Sequence, residues 1–272
     1  MKKLWILIGA MAPLLGLEAQ TLESPWMGSH YSVSVGGATD YHTDMSMNWM
    51  REHTVNERDL QTTVTDEEFA NYYIVSGGIF TLEKSYLYGP TQLSEQSFKR
   101  ELRIGVRLMV DREAMINHYK VDEQEGYIDS ESLTFCLLDN ELGLDVAHLW
   151  KHQGKSFSIY GGIGVNTSAT FNPKMLRITR SFRYVTDTAG QVSEPDLSEP
   201  ETTVYDAKKS VFARVQAPVG VAWNPIKRVG IGLEYRAGFG VEQIIGGHNN
   251  VLPYSALVSF RLSYFLKQSF LG

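Results

Sequence analysis

The residues able to do chemistry are scattered. Histidines stand at His30, His42, His53, His118, His148, His152 and His248. Only His148 and His152 have the four-residue spacing that joins two metal ligands on a helix. Alternating sequence surrounds them, and on a strand that spacing sets side chains several residue rises apart. Both therefore read as polar residues near a turn. Cys136 is the sole cysteine, which excludes an intramolecular disulfide framework and a multi-cysteine zinc site. In His30-Tyr31-Ser32 an imidazole and a hydroxyl lie two residues apart, on one face of a strand. No Gly-x-Ser-x-Gly elbow or phosphate loop accompanies them. Asn166-Thr167-Ser168 matches a glycosylation sequon but lies inside an alternating segment and reads as chance. The expectation is a protein that is not an enzyme, with no cofactor and no metal.

The informative charges sit elsewhere. Overall the chain has 25 basic and 31 acidic residues, a net of −6. That balance argues against nucleic acid as a partner, which calls for a basic stripe. Within alternating segments, however, one face carries Arg103, Arg107, Glu141, Asp145, Arg214, Glu234, Arg236 and Arg261. Asp40, Lys99, Glu101 and Glu242 join them, and the two signs balance. A solvated face has no need to balance. A narrow closed interior does, because an unpaired buried charge costs several kcal/mol.

The elements that must position these charges are strands. In 229–242, Val229, Ile231, Leu233, Tyr235, Ala237, Phe239 and Val241 fall on one face. Gly230, Gly232, Glu234, Arg236, Gly238, Gly240 and Glu242 fall on the other. Such period-two alternation gives a strand with one apolar face. Similar alternation occupies 31–41, 98–110, 142–150, 157–171, 211–223 and 254–266, and extends from the first through Met45, Met47 and Trp49. A strand over 70–82 has apolar residues on both faces, so its facing is not assigned. This gives eight strands.

Plain hairpin registers place Arg107 opposite Glu141, Arg103 opposite Asp145, Gln216 opposite Arg236 and Glu234 opposite Arg261. Glycines inside the strands leave room for long Arg and Glu side chains. Connections alternate: short ones carry His152-Gln153-Gly154 and Asn224-Pro225-Ile226, while 50–69, 111–130 and 172–208 are long. The long ones include the acidic residues Asp122, Glu123, Glu125, Asp129, Glu194, Asp196 and Glu199. Aromatics gather at strand ends, with Trp150, Phe157 and Trp223 on the short-turn side and Tyr41, Phe171 and Tyr254 on the other. Two such belts suit two membrane interfaces.

Residues 1–20 have Lys2 and Lys3 followed by an apolar run from Leu4 to Leu17 and the close Glu18-Ala19-Gln20. This is the layout of a secretory signal peptide. The mature barrel is then expected over 21–272. No later run reaches the ~18 apolar residues of a membrane-spanning helix.

This signal, the eight alternating strands, the alternation of loop lengths and the stretch Phe260-Arg261-Leu262-Ser263-Tyr264-Phe265-Leu266 resemble the small OmpA/OmpX-like outer-membrane β-barrels of Gram-negative bacteria. The resemblance implies an all-β, eight-stranded antiparallel up-and-down transmembrane barrel, monomeric, surrounded by outer-membrane lipid and lipopolysaccharide. It also implies a terminal aromatic residue for the assembly machinery. This chain continues past Phe265 through 267–272, so Phe265 or Phe270 would have to serve.

Three roles follow from that class. A structural or interaction role fits best, through long loops that meet an extracellular or envelope protein partner. A narrow porin-like channel is the alternative, although eight strands leave an interior that side chains fill. Some such barrels are lipid A hydrolases with a His-x-Ser arrangement, and His30 with Ser32 matches it in type. Their place at the opening of the first strand is wrong for that site, and polar lining is the simpler reading.

Overall fold

The alternation along the chain becomes a closed ring of ladders. The structure is a computed structural model that describes residues 28–265, apart from positions 44, 61–63, 65–67, 72–73, 89–96, 125–126, 155, 186–195 and 227. The expected signal peptide and the 267–272 tail, with Phe270, lie outside the described residues. In chain order the elements are β1 (Gly28–Tyr41), α1 (Met47–His53), β2 (Ala70–Asn71), β3 (Ile74–Tyr88), β4 (Ser97–Gln124) and β5 (Tyr127–Gln153). They continue with β6 (Phe157–Val185), β7 (Asp196–Leu197), β8 (Glu201–Asp206), β9 (Ser210–Ile226), β10 (Val229–Ile244) and β11 (Asn249–Phe265). Eight strands pair antiparallel in the cycle β1-β3-β4-β5-β6-β9-β10-β11, and β11 pairs back to β1. Closure leaves no edge along the ring. The short strands β2, β7 and β8 are additions, β2 on β4 and the other two on β6.

The facing follows the sequence. Val35, Leu144, Ile159, Leu233 and Phe260 are each more than half exposed on the outside. Arg103, Asp145, Arg214, Glu234 and Arg261 are buried inside. Strand β3 now has a facing: Val75, Ile79, Thr81, Glu83 and Ser85 point in, while Ile74, Phe80 and Leu82 point out. It begins later and ends later than expected.

All three expected registers are wrong by two residues. Arg103 faces Ala147, and Asp145 faces Gly105. Gln216 faces Gly238. Arg261 faces Gly232, and Glu234 faces Ser259. A slip of two keeps every side chain on its own face, so the interior survives the error. Long Arg and Glu side chains pair diagonally across the lumen and do not require direct opposition.

A set of irregularities marks one end of the barrel. Bulges fall between Ser76 and Gly78, Met109 and Arg112, Leu138 and Asn140, and Gly238 and Gly240. Asp111 and Asn172 take positive φ of 51° and 52°, which their short polar side chains tolerate. A bulge inserts one residue and so changes which residues face inward. Below it, β4 sends Arg103 and Arg107 inside; above it, Ala114 and Ile116 are buried.

Beyond the bulges β4, β5 and β6 continue as a tall ribbon. The 111–130 segment, expected as a polar loop, is strand except near its tip. Much of 172–208 is likewise strand, in β6, β7 and β8. This ribbon has its own apolar core. Leu133, Phe135, Leu137 and Met175 pack with Met45, Met47, Met50 and Leu60 from the first connection.

The alternation of Met45, Met47 and Trp49 does not extend β1. Ser46 caps a helix instead, its side chain accepting from the Trp49 N–H at 3.2 Å. Met47, Met50 and His53 then fall at helical spacing and all are buried. The helix ends where Thr54 donates its hydroxyl to the Met50 carbonyl at 2.9 Å. The Thr54–Ala207 bridge, together with the Val55 N–H donated to Asp206 O at 3.0 Å, stitches this cap to the ribbon. Among the described residues, no helix is long and apolar enough to cross a membrane.

Candidate functional site

The lumen is a continuous set of ion pairs, which can be followed from the short-turn end upward. Glu101 lies 2.6 Å from Arg103 Nε, 3.7 Å from Lys151 Nζ and 3.6 Å from His30 Nε2. Phe265 turns its ring inward here, 4.7 Å from the His30 ring.

Glu234 and Glu83 organise the middle. Glu234 accepts from Arg236 Nε at 2.6 Å and from the Tyr160 hydroxyl at 2.8 Å, and also meets Arg103. Glu83 accepts from Arg236 Nη2 at 2.6 Å and pairs with Arg261. Asp145 lies 3.4 Å from Arg236 and 3.7 Å from Arg107. Two glycines make room for these groups. A Cβ on Gly220 would stand 2.4 Å from the Tyr160 ring, and one on Gly105 would stand 2.5 Å from Glu83 Cγ.

Arg214 holds the upper layer together. It meets Asp40 of β1 at 2.6 Å and Glu141 of β5 at 2.7 Å. Arg112 pairs with Asp139 at 2.8 Å. Both guanidiniums lie against the Phe212 ring, Arg112 at 4.6 Å and Arg214 at 4.3 Å from its centroid. Above them Glu242 accepts from Asn250 at 3.1 Å and lies 3.1 Å from His53 Nε2 and 3.9 Å from His42 Nδ1. The lumen therefore ends against the cap helix.

Every one of Arg103, Arg107, Glu141, Asp145, Arg214, Glu234, Arg236 and Arg261 is in this network. Sequence reasoning missed Glu83, Lys151, Arg112 and Asp139. Glu83 fell one residue past the predicted second strand, and Lys151 one past the predicted end of the fourth. Arg112 and Asp139 lie beside the bulges, Arg112 in the expected 111–130 connection and Asp139 between that connection and the predicted fourth strand. Lys99, grouped with the lining, is only half-buried. Charged groups so buried remain stable only with partners and filled hydrogen bonds. Here most of the carboxylates share two or more cations, as Glu83, Glu101, Asp145 and Glu234 do.

The remaining candidates separate. His30 and Ser32 are both buried and inward, but Ser32 accepts from Arg261 while His30 turns to Glu101. Among the described residues no hydrogen bond joins them. His148 lies against Trp150, its ring 4.8 Å away. Among the described residues no group of His, Cys, Asp and Glu could hold a metal ion. Trp150, Phe157, Trp223, Tyr41 and Tyr254 are exposed on the outer face, and Phe171 is half-buried. Phe157 and Trp223 stack with centroids 6.4 Å apart. Tyr41 faces Tyr254, whose hydroxyl meets that of Tyr235.

An apolar, aromatic-edged exterior around a charged, self-paired interior is the inverse of a soluble barrel. It is the arrangement of a transmembrane β-barrel of the bacterial outer membrane. Among solved structures the chain is similar to Neisserial surface protein A, with 12% identity, 87% of this chain and 98% of that one covered, and a TM-score of 0.31. It is similar to Ail, the attachment invasion locus protein of Yersinia pestis, at 11% identity, 88% and 100% coverage and a TM-score of 0.29. It is also similar to the outer membrane protein OprG from Pseudomonas aeruginosa, at 10% identity, 88% and 97% coverage and a TM-score of 0.33. No protein-family model and no curated protein matches the chain. The fold rests on the closed ring of ladders.

Proposed function

We propose that this outer-membrane barrel is a closed scaffold that presents a rigid head for binding outside the cell. One observation carries this reading: the lumen is cross-linked by ion pairs along its length, and α1 with its apolar core covers its mouth. A conducting pore needs a wet path, and eight strands leave an interior that side chains just fill. The ribbon, by contrast, is hydrogen-bonded strand almost to its tip, so it can hold a surface in fixed geometry. In this arrangement Trp150, Phe157 and Trp223 would mark the inner membrane–water boundary, and Tyr41, Phe171 and Tyr254 the outer one. Lipid and lipopolysaccharide would surround a monomer between these belts.

Two measurements test this. In planar bilayers the purified protein should show no unitary conductance; steady single-channel steps would favour a narrow porin-like channel and overturn the reading. A variant with 119–131 replaced by a tight turn should keep heat-modifiable gel mobility yet lose adhesion of expressing bacteria to cell or matrix surfaces. Unchanged adhesion by that variant would also overturn it.

A further inference from the structure

The inner face of the ribbon carries a cleft of about 450 Å³ near its tip, above the cap. The ladder lays its walls out in two rows. Lys120, Glu131 and Ser181 stand side by side on β4, β5 and β6; Asp122, Asp129 and Arg183 form the next row. Ser198, following β7, closes one side by accepting from the Ser181 N–H at 3.1 Å and donating to the Ser181 carbonyl at 2.8 Å. The volume falls within the ~300–1,000 Å³ typical of small-ligand sites.

Part of this surface is locked and part is open. Arg183 binds Asp129 through two hydrogen bonds of 2.7 and 2.9 Å, and its guanidinium lies 4.9 Å from the Tyr127 ring centroid. That fork-to-fork geometry fixes both groups. The side chains of Lys120, Asp122 and Glu131 make no hydrogen bond or ion pair with any described residue, though all three line the cleft. Asp122 also stands directly opposite Asp129. Like charges placed so are destabilising, and nothing in the packing of the ribbon requires them.

We propose that this cleft binds a neutral polyhydroxylated ligand, a short oligosaccharide. Charge decides the class. A polyanion would meet Asp122, Asp129 and Glu131; a polycation would meet Lys120 and Arg183. A sugar hydroxyl both donates and accepts, so it matches a wall where carboxylates that only accept alternate with an ammonium that only donates. The locked Arg183–Asp129 pair lowers the ordering cost of binding. The inference rests on the scaffold reading above and names the partner class for its head.

The test is a glycan array probed with the full-length protein in detergent micelles. Its features are neutral, sulfated and sialylated oligosaccharides, and immobilised polylysine stands beside them. Neutral oligosaccharides are expected to bind. The double variant D122N/E131Q should lose at least tenfold in binding, while R180Q, outside the cleft, should bind as the unaltered protein does. Both variants change exposed positions, and heat-modifiable mobility confirms that each folds. Silence on every neutral glycan, selective capture of sulfated glycans or polylysine, or undiminished binding by the double variant would each overturn the proposal. If adhesion still depends on the ribbon when the array is silent, only the sugar assignment fails. If the shortened ribbon adheres normally, the scaffold reading itself has failed.

Discussion

His53 of the cap helix and Glu242 of the barrel wall meet at 3.1 Å across 189 positions of sequence. The other ring nitrogen of His53 already faces the Trp49 carbonyl at 2.8 Å. Both nitrogens thus face acceptors, and the contact requires a proton between Nε2 and Oε1. The Trp49 ring lies 3.8 Å from the His53 ring, tilted by 38°, so this one contact joins cap, lumen and helix end.

Glu242→Ala should release the cap. It removes the acceptor shared by His53 and Asn250 and leaves buried polar groups unpaired, at a cost of about 3–5 kcal/mol. Hydrogen exchange of the α1 amides should accelerate while the barrel strands stay protected. Glu242→Gln, which can donate to a neutral imidazole, should keep most of the protection. Equal exchange in the unaltered protein and both variants would mean that this contact does not hold the cap.

Acid should loosen the same cap through His42, just past the end of β1. Burial pushes its imidazole from 6.5 down to about 4; Glu242 and Asp40 oppose the shift, while Arg112 and His53 add to it. An opened cap would therefore bind a proton that the closed cap refuses. The resulting stability is complete above 6.5 and drains away as pH falls towards 4. Opening free energies of α1, from exchange rates corrected for intrinsic pH dependence, should be lower at pH 5 than at pH 7.5. His42→Phe should flatten that difference, and a flat profile in the unaltered protein would contradict the expectation.

Arg214→Leu should be among the most damaging single changes in the lumen. It strands Asp40 and Glu141, both buried, and takes away one of the guanidiniums against Phe212. A loss of about 3–5 kcal/mol is expected. The gel mobility shift should then occur at a lower temperature than for the unaltered barrel. A joint change of Asp40, Glu141 and Arg214 to apolar residues should cost less than Arg214→Leu alone, because neither carboxylate is then buried without its guanidinium and Arg112 keeps Asp139. The reverse order would show that the pairs are not the stabilising feature.

Gly220→Val should disturb the middle layer without touching a charge. The added side chain would collide with the Tyr160 ring, which donates its hydroxyl to Glu234 at 2.8 Å. Thermal stability should fall by ~1–3 kcal/mol, typical of overpacking. Tyr160→Ala in the same chain should recover part of the loss, and no recovery would locate the strain elsewhere.

Facing was legible in the sequence because period two is a strong signal. Arg103, Asp145 and Glu234 could not be moved outward without turning a whole apolar face inward. Register was not legible, since a slip of two leaves every face unchanged. The ribbon hid for a different reason. Its polar tip composition, around Asp122 and Glu123, resembles a loop, yet strand ladders outside a membrane tolerate such residues. The cap hid because Met47 belongs to two patterns, the alternating Met45, Met47 and Trp49 and the helical Met47, Met50 and His53, and only the Ser46 cap decides between them. In the lumen, period two already sets Arg103, Arg107, Glu141, Asp145, Arg214, Glu234, Arg236 and Arg261 on one face. Those missed lie past a predicted strand end, as Glu83 and Lys151 do, or beside a bulge, as Arg112 and Asp139 do.

Arg214 draws its two carboxylates from β1 and β5, and the first strand pairs with the last. The β4–β5 hairpin carries partners for its own charges, Glu101 with Arg103 and Asp139 with Arg112. Asp40, by contrast, meets Arg214 only once β9 is present, and Glu83 meets its guanidiniums only with β10 and β11. The opening wall of the barrel is thus neutralised by the last strands of the chain, so complete charge pairing coincides with ring closure.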